Sequence, residues 1–118
     1  MMRKIYYLST CDTCKKILEK INPEIHGFEL QDIKKDKITA GQLDQMKKLA
    51  GSFDALFSKR AILYTTMKLK EKVLSEKEIR DLILKEYTFL KRPVIIYDDQ
   101  IFIGNAPKEI NKLLDIIS

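Results

Sequence analysis

The chain reads as an α/β protein in which a small mixed sheet is interrupted by a helical middle. Three observations predict this. Runs with strand character stand early and late in the chain, at "RKIYYLS", "HGFELQDI" and "RPVIIYDDQIFIGN". Helical spacing follows the first and the last of these runs. Between them, from the thirties to the eighties, only helical and loop signals occur. A length of 118 residues predicts one domain, long enough to bury a core without staples.

The elements follow in order. "RKIYYLS" is apolar, aromatic and bounded by polar residues, so it reads as a strand. In "CDTCKKILEKI", Cys14, Ile17, Leu18 and Ile21 recur on one helical face, and Asn22-Pro23 ends the helix. "HGFELQDI" reads as a second strand with Phe28 and Leu30 on one side. "TAGQLDQMKKLAG" is a helix opened by a capping-box pattern, Thr39 to Gln42, and closed by Gly51; Leu43, Met46 and Ala50 form its stripe. Residues 52–74 read as short helical pieces and loops. "SEKEIRDLILKEY" repeats the capping pattern with Ser75 and Glu78, and turns Ile79, Leu82 and Ile83 inward. A hairpin follows, with strands Val94–Tyr97 and Ile101–Ile103 around a turn at Asp98-Asp99-Gln100. The last helix, "APKEINKLLDII", has Pro107 in its first turn and Ile110, Leu113, Leu114 and Ile117 inward. The order is β-α-β, a helical middle, then β-β-α. The first two strands are expected to be parallel, joined by a right-handed crossover. With Cys-x-x-Cys at the first βα turn, this is a thioredoxin-like arrangement.

Composition narrows the function. Apolar residues make up 45% and charged residues 33%, the balance of a soluble globular protein. No apolar run approaches a membrane span, and Ile5 to Leu8 is too short for the core of a signal peptide. The expected compartment is the cytoplasm, where thiols stay reduced and a Cys-x-x-Cys pair is catalytic or metal-binding rather than a structural disulfide. The net charge of +5 would permit an anionic partner, but the lysines are interleaved with acids in "KKDK" and "KLKEKVLSEKE". No helix-turn-helix, finger or RNP-like motif accompanies them, so they read as a solvated surface with no direct nucleic-acid role. Arginine is scarce: Arg3, Arg60, Arg80 and Arg92 stand against eighteen lysines. An arginine here is a candidate for roles that need a permanent charge and a forked donor. Arg80 has Glu76 at i−4 and reads as a surface helix pair, and Arg3 reads as solvated.

The two cysteines are not equivalent. Cys11 precedes the first helical turn, where free N–H groups and the helix dipole favour thiolate, and Lys15 and Lys16 add positive charge. Cys14 lies on the buried stripe. That asymmetry suits a nucleophile and a resolving partner. Two other readings stay open. Zinc needs about four ligands, and two cysteines with the single His26 would require a second chain or carboxylates. Alternatively, both are small buried residues. The strand-turn-helix context favours redox chemistry, with no bound metal or cofactor. His26 and the Tyr6-Tyr7 pair read as structural. In "LKRPVII", Pro93 heads a strand where a thioredoxin-like fold places a cis proline facing the cysteine turn, which would bring Arg92 near Cys11.

"YLSTCDTCKK", "LFSKRAILY" and "LKRPVIIYDDQIFIGN" carry a resemblance to the arsenate reductase (ArsC)/Spx family over nearly the whole chain. The resemblance implies a thioredoxin-like core, residues 1–31 and 89–118, with a helical insertion over residues 32–88. It implies an arsenate-reductase-like thiol oxidoreductase acting on a small oxyanion or a disulfide. Cys11 would be the nucleophile and Cys14 the resolving thiol, with Arg92, Arg60 and Lys15 holding the anion and Thr10 and Pro93 shaping the site. Glutathione or glutaredoxin would supply electrons. The reductases of this family hold the oxyanion with three arginines. Arg92 falls on the arginine of the arginine–proline motif, Ser58 on the central one with Arg60 two residues on, and the third falls near Gly104. The paired cysteines and the "SKR" placing also resemble Spx, which implies a redox-switched regulator binding the C-terminal domain of the RNA polymerase α subunit. In either role the chain is expected to act as a monomer.

Overall fold

A computed structural model describes residues 2–117. The chain forms two compact units, one from residues 1–37 and 92–118 and the other from residues 38–91.

The first unit is built on a mixed four-stranded sheet in the order β2-β1-β3-β4. Strand β1 is Arg3–Tyr7, β2 Glu29–Asp32, β3 Val94–Tyr97 and β4 Gln100–Ile103. β1 runs parallel to β2, with Tyr7 opposite Asp32, and antiparallel to β3, with Ile5 opposite Ile95. Helices α1 (Asp12–Ile21) and α5 (Pro107–Ile117) belong to this unit. Their apolar stripes meet one face of the sheet in a cluster of Ile5, Ile17, Ile21, Phe28, Ile95, Phe102, Ile110 and Leu113. Truncating any of its fully buried aliphatic residues to alanine should cost about 2–5 kcal/mol. The alternation of strand side chains puts Lys4, Tyr6, Gln31, Val94 and Ile96 on the other face, also buried.

α1 ends where the sequence indicates. Asn22 adopts a left-handed conformation, φ 54°, and its N–H bonds the Leu18 carbonyl at 3.0 Å. The β3–β4 turn is tighter than expected. Asp98 and Asp99 alone form it, with Asp98 at φ 56°, and Gln100 pairs with Tyr97 in the ladder. At the edge of the sheet, Ile103 opposes Val94 in a pair whose N–H groups point away from the partner strand. Glu109 of α5 accepts that outward Ile103 N–H at 3.2 Å.

Leu30 and Arg3 are not where their chemistry alone would put them. Leu30, on the same face as Phe28, is 43% exposed, and Gln31 is buried on the opposite face. β2 is an edge strand, and the Gln31 amide donates to the Asp36 carbonyl at 3.0 Å, which lets a polar side chain take the inner position. Arg3 is not merely solvated. It donates to the His26 carbonyl at 3.0 Å, pairs with Asp98 at 3.5 Å and lies 4.5 Å over the Tyr97 ring.

The second unit holds α2 (Ala40–Ala50), α3 (Ile62–Thr66) and α4 (Glu76–Lys85), joined by short 3-10 turns and loops. Both capping boxes form, Thr39 with Gln42 and Ser75 with Glu78. Gly51 closes α2 at φ 95°, a left-handed geometry that a side chain would strain. Leu43, Met46, Ile79 and Ile83 are buried, while Leu82 is half-exposed. The Glu76–Arg80 pair gives way to a longer-range one. Arg80 forks onto Asp44 of α2, Nε to Oδ1 at 2.8 Å and an Nη to Oδ2 at 3.2 Å. Glu76 instead accepts the N–H groups of Phe53 and Asp54, at 2.7 and 3.1 Å. No described helix is long and apolar enough to cross a membrane.

Candidate active site

The site grows out of the end of β1. After Tyr7 the chain leaves the sheet and turns through Leu8, Ser9 and Thr10. The Cys11 N–H closes this turn on the Leu8 carbonyl at 3.0 Å. Cys11 is extended, φ −96° and ψ 112°, and occupies the N-cap of α1. Its carbonyl already accepts the Lys15 N–H at 3.2 Å. Its thiol makes no full capping hydrogen bond, so the sulfur stands before N–H groups that the helix leaves free.

Both thiols are free; Cys11 is half-buried and Cys14 fully buried. Partial burial alone would push the Cys11 thiol up. The N–H of Cys14, its S–H, the N–H of Thr13 and the charge of Arg92 together outweigh burial and hold the thiol below its ordinary value. At Cys14 burial dominates. The Leu8 backbone and Arg92 oppose it, but the hydrogen bond to Cys11 and the charge of Cys11 add to it, and the thiol is pushed up to about 11. One sulfur is therefore biased toward thiolate, and its neighbour is held as a thiol that donates to it.

Arg92 is half-buried and its charge reaches both cysteines. The Arg92–Pro93 peptide is cis and Pro93 is buried. The Pro93 carbonyl accepts the Gly104 N–H at 2.9 Å, which ties the arginine–proline segment to the end of β4. Gly104 sits at φ 86°. It carries no cation, and a side chain there would be strained.

The remaining candidates are placed as follows. Thr10 is exposed in the cysteine turn, and Lys15 is exposed on the first turn of α1. Arg60 lies in the second unit, exposed in the turn before α3. Among the described residues, no group of three or more histidines, cysteines and carboxylates is placed to hold a metal ion.

One site residue escaped the sequence reading. Asp32, at the end of β2, accepts the Ser9 N–H at 3.4 Å and the Lys34 N–H at 3.2 Å on one carboxylate oxygen. The available signal was weak: an acidic residue closing a strand just before the polar turn "KKDK".

The match to known proteins follows this geometry closely. The model of the ArsC family matches residues 6–113, from the end of β1 into α5. The chain belongs to the ArsC family. A Haemophilus influenzae protein described as uncharacterized is 29% identical over 109 residues, covering 92% of this chain and 95% of its own. Among solved structures, an arsenate reductase (ArsC) related protein from Brucella melitensis is 26% identical, with 97% of this chain and 95% of that one covered and a TM-score of 0.67. An ArsC-family-related protein from Bacteroides fragilis is 23% identical, covers 96% and 99%, and has a TM-score of 0.80. An arsenate reductase from Vibrio cholerae is 19% identical, covers 95% and 98%, and has a TM-score of 0.72. The last two establish the fold alone. The ArsC-family fold is a thioredoxin-like α/β core with helices inserted, as the sequence predicts.

Proposed function

We propose that this ArsC-family protein is a cytoplasmic thiol–disulfide oxidoreductase in which Cys11 attacks and Cys14 resolves. The observation that carries the reading is the unequal placing of two neighbouring free thiols: Cys11 half-buried at the N-cap of α1 before free N–H groups, and Cys14 fully buried one turn on.

The chemistry runs in two displacements. The Cys11 thiolate attacks a sulfur of a substrate disulfide, forming a mixed disulfide and releasing one substrate thiolate. Cys14 then loses its proton and attacks the Cys11 sulfur, which forms the Cys11–Cys14 disulfide and releases the second substrate thiolate. Capping Cys11 removes its negative charge and its acceptor role. Both had raised Cys14, so its deprotonation becomes easier only after the adduct exists. Two electrons from glutathione or glutaredoxin return the pair to dithiol.

Arg92 is the cation that would hold an anionic substrate group beside Cys11, with Lys15 as a further candidate. Thr10 and Pro93 would shape its approach. Arsenate is the substrate that the family suggests. The position near the third family arginine holds Gly104, and each missing donor should cost about 2.7–4 kcal/mol of transition-state stabilisation, by analogy with oxyanion holes. Arsenate turnover should therefore be slow compared with disulfide reduction.

The test is NADPH-coupled reduction with glutathione and glutaredoxin, offering arsenate and a small disulfide in turn. Turnover lost in Cys11→Ser supports the enzyme. The buried Cys14 beside a reactive Cys11 also suits a reversible switch. Absence of turnover on either substrate, with binding to the RNA polymerase α C-terminal domain that depends on the Cys11–Cys14 disulfide, would transfer the function to a regulator.

A further inference from the structure

We infer that Asp32 is a positioning residue that holds the cysteine turn in the geometry that activates Cys11. The inference rests on the reading of Cys11 as nucleophile, but concerns a residue to which that reading gives no role.

Asp32 and the turn meet through the parallel ladder. Asp32 is the register partner of Tyr7, and the Ile33 N–H bonds the Tyr7 carbonyl at 3.0 Å. The two strands therefore end level with one another. Beyond that last rung, the Asp32 carboxylate reaches across to the Ser9 N–H. The same oxygen accepts the Lys34 N–H of its own turn. The Asp32 backbone carbonyl accepts the N–H groups of Lys35 and Asp36, at 3.1 and 2.8 Å. The carboxylate is thus fixed by its own chain while it holds the other.

Its second oxygen, Oδ2, is sequestered from solvent, and the Ser9 side chain as well as its N–H favours the carboxylate. Burial pushes the Asp32 carboxyl up. Hydrogen bonds from Ser9 and Lys34, with the nearby Lys35 charge, pull it below the usual carboxylate range.

Ser9 lies two residues before Cys11 in a turn whose other fastening is the Cys11 N–H on Leu8. The turn between β1 and α1 is therefore pinned once at each end. Releasing the Ser9 end lets Cys11 drift from the Thr13 and Cys14 N–H groups that favour its thiolate. The negative charge of Asp32 works in the opposite direction, disfavouring a second anion nearby. Bonding and charge thus predict opposite signs and can be separated.

The experiment is the pH profile of iodoacetamide alkylation at Cys11 in the full chain, read by peptide mass, for wild type, Asp32→Ala and Asp32→Asn. Asparagine keeps an acceptor for the Ser9 and Lys34 N–H groups and removes the charge. If Asp32 positions the turn, Asp32→Ala raises the Cys11 midpoint and slows alkylation at pH 7 on the order of tenfold. Asp32→Asn then returns to the wild-type profile or falls below it. An alanine variant with the wild-type profile, or both variants shifting downward together, or both shifting upward together, would overturn the inference.

Should Asp32→Ala not fold, an acid titration of the wild-type protein by amide NMR decides. The Ser9, Lys34 and Cys11 amide resonances must then move with one shared midpoint. A Cys11 amide that stays still while Ser9 moves sinks the idea. This readout needs no reactive thiol. An unreactive wild-type Cys11 would remove the proposed function, and the coupling of Ser9 to Cys11 would still be judged separately.

Discussion

The two ends of β1 show how one strand serves two purposes. At its start, Arg3 is fully engaged: a carbonyl, a carboxylate and an aromatic ring surround its guanidinium. At its end, the charge of Arg92 reaches a sulfur, and the thiol beside it is held toward thiolate. The first arrangement is closed and stabilises the sheet. The second leaves a nucleophile half-exposed with its stabilising donors already in place. The difference lies in what the arginine faces, and the sequence alone does not show which arginine is which.

Substitutions at the two ends should therefore fail differently. Cys11→Ser should have the largest effect, abolishing the fast-alkylating thiol in the native protein while the unfolding temperature stays near that of wild type. Iodoacetamide kinetics with thermal melts checks both halves. Next, Arg92→Ala should slow Cys11 alkylation at pH 7 several-fold, because the thiol loses a neighbouring cation and its midpoint rises. The sign is set by the depressed Cys11 value: reactivity in wild type persists below the ordinary thiol range and is lost only as pH falls further. Arg3→Ala should do the reverse, costing about 1–2 kcal/mol in urea unfolding and leaving the alkylation profile in place. If Arg3→Ala moved the Cys11 midpoint, the two ends would not be independent.

The smallest effect belongs to the middle of the strand. The Tyr6 hydroxyl is buried without a hydrogen-bond partner. Burial first, and then the charge of Glu29, push its phenol up to about 12. Tyr6→Phe should stabilise the fold by about 1 kcal/mol. In wild type the folded phenol ionises later than the unfolded one. Its contribution is therefore complete below about pH 10 and is lost as pH rises toward 12. Stability measured against pH should therefore show a constant gap between the two proteins below about pH 10, which widens as pH rises toward 12.

Much of this was legible in the chain. Elements with two independent local signals came through: α2 and α4 have capping boxes as well as periodicity, and α1 has Asn22-Pro23 at its end. The cysteine turn and the arginine–proline segment were legible because their chemistry is local. What the sequence hid is long-range. Arg80 reaches Asp44 across thirty-six positions instead of Glu76 four away, because the Glu76 carboxylate at the start of α4 meets the N–H groups of Phe53 and Asp54. In β2, alternation sets Phe28 and Leu30 on one face and Gln31 on the other, but it does not tell which of these positions is covered at a sheet edge. Asp32 was hidden for the same reason: its role depends on a neighbour in the ladder twenty-three residues away.

Glu109 carries one more consequence. A strand arriving from another molecule to extend the sheet at β4 would bring carbonyl oxygens to the outward N–H of Ile103. It would find that donor already occupied by a carboxylate, and the two oxygens would repel. A side chain anchored on a helix thus covers one donor of this border. Glu109→Ala would open the lane for strand-by-strand growth without touching the thiols.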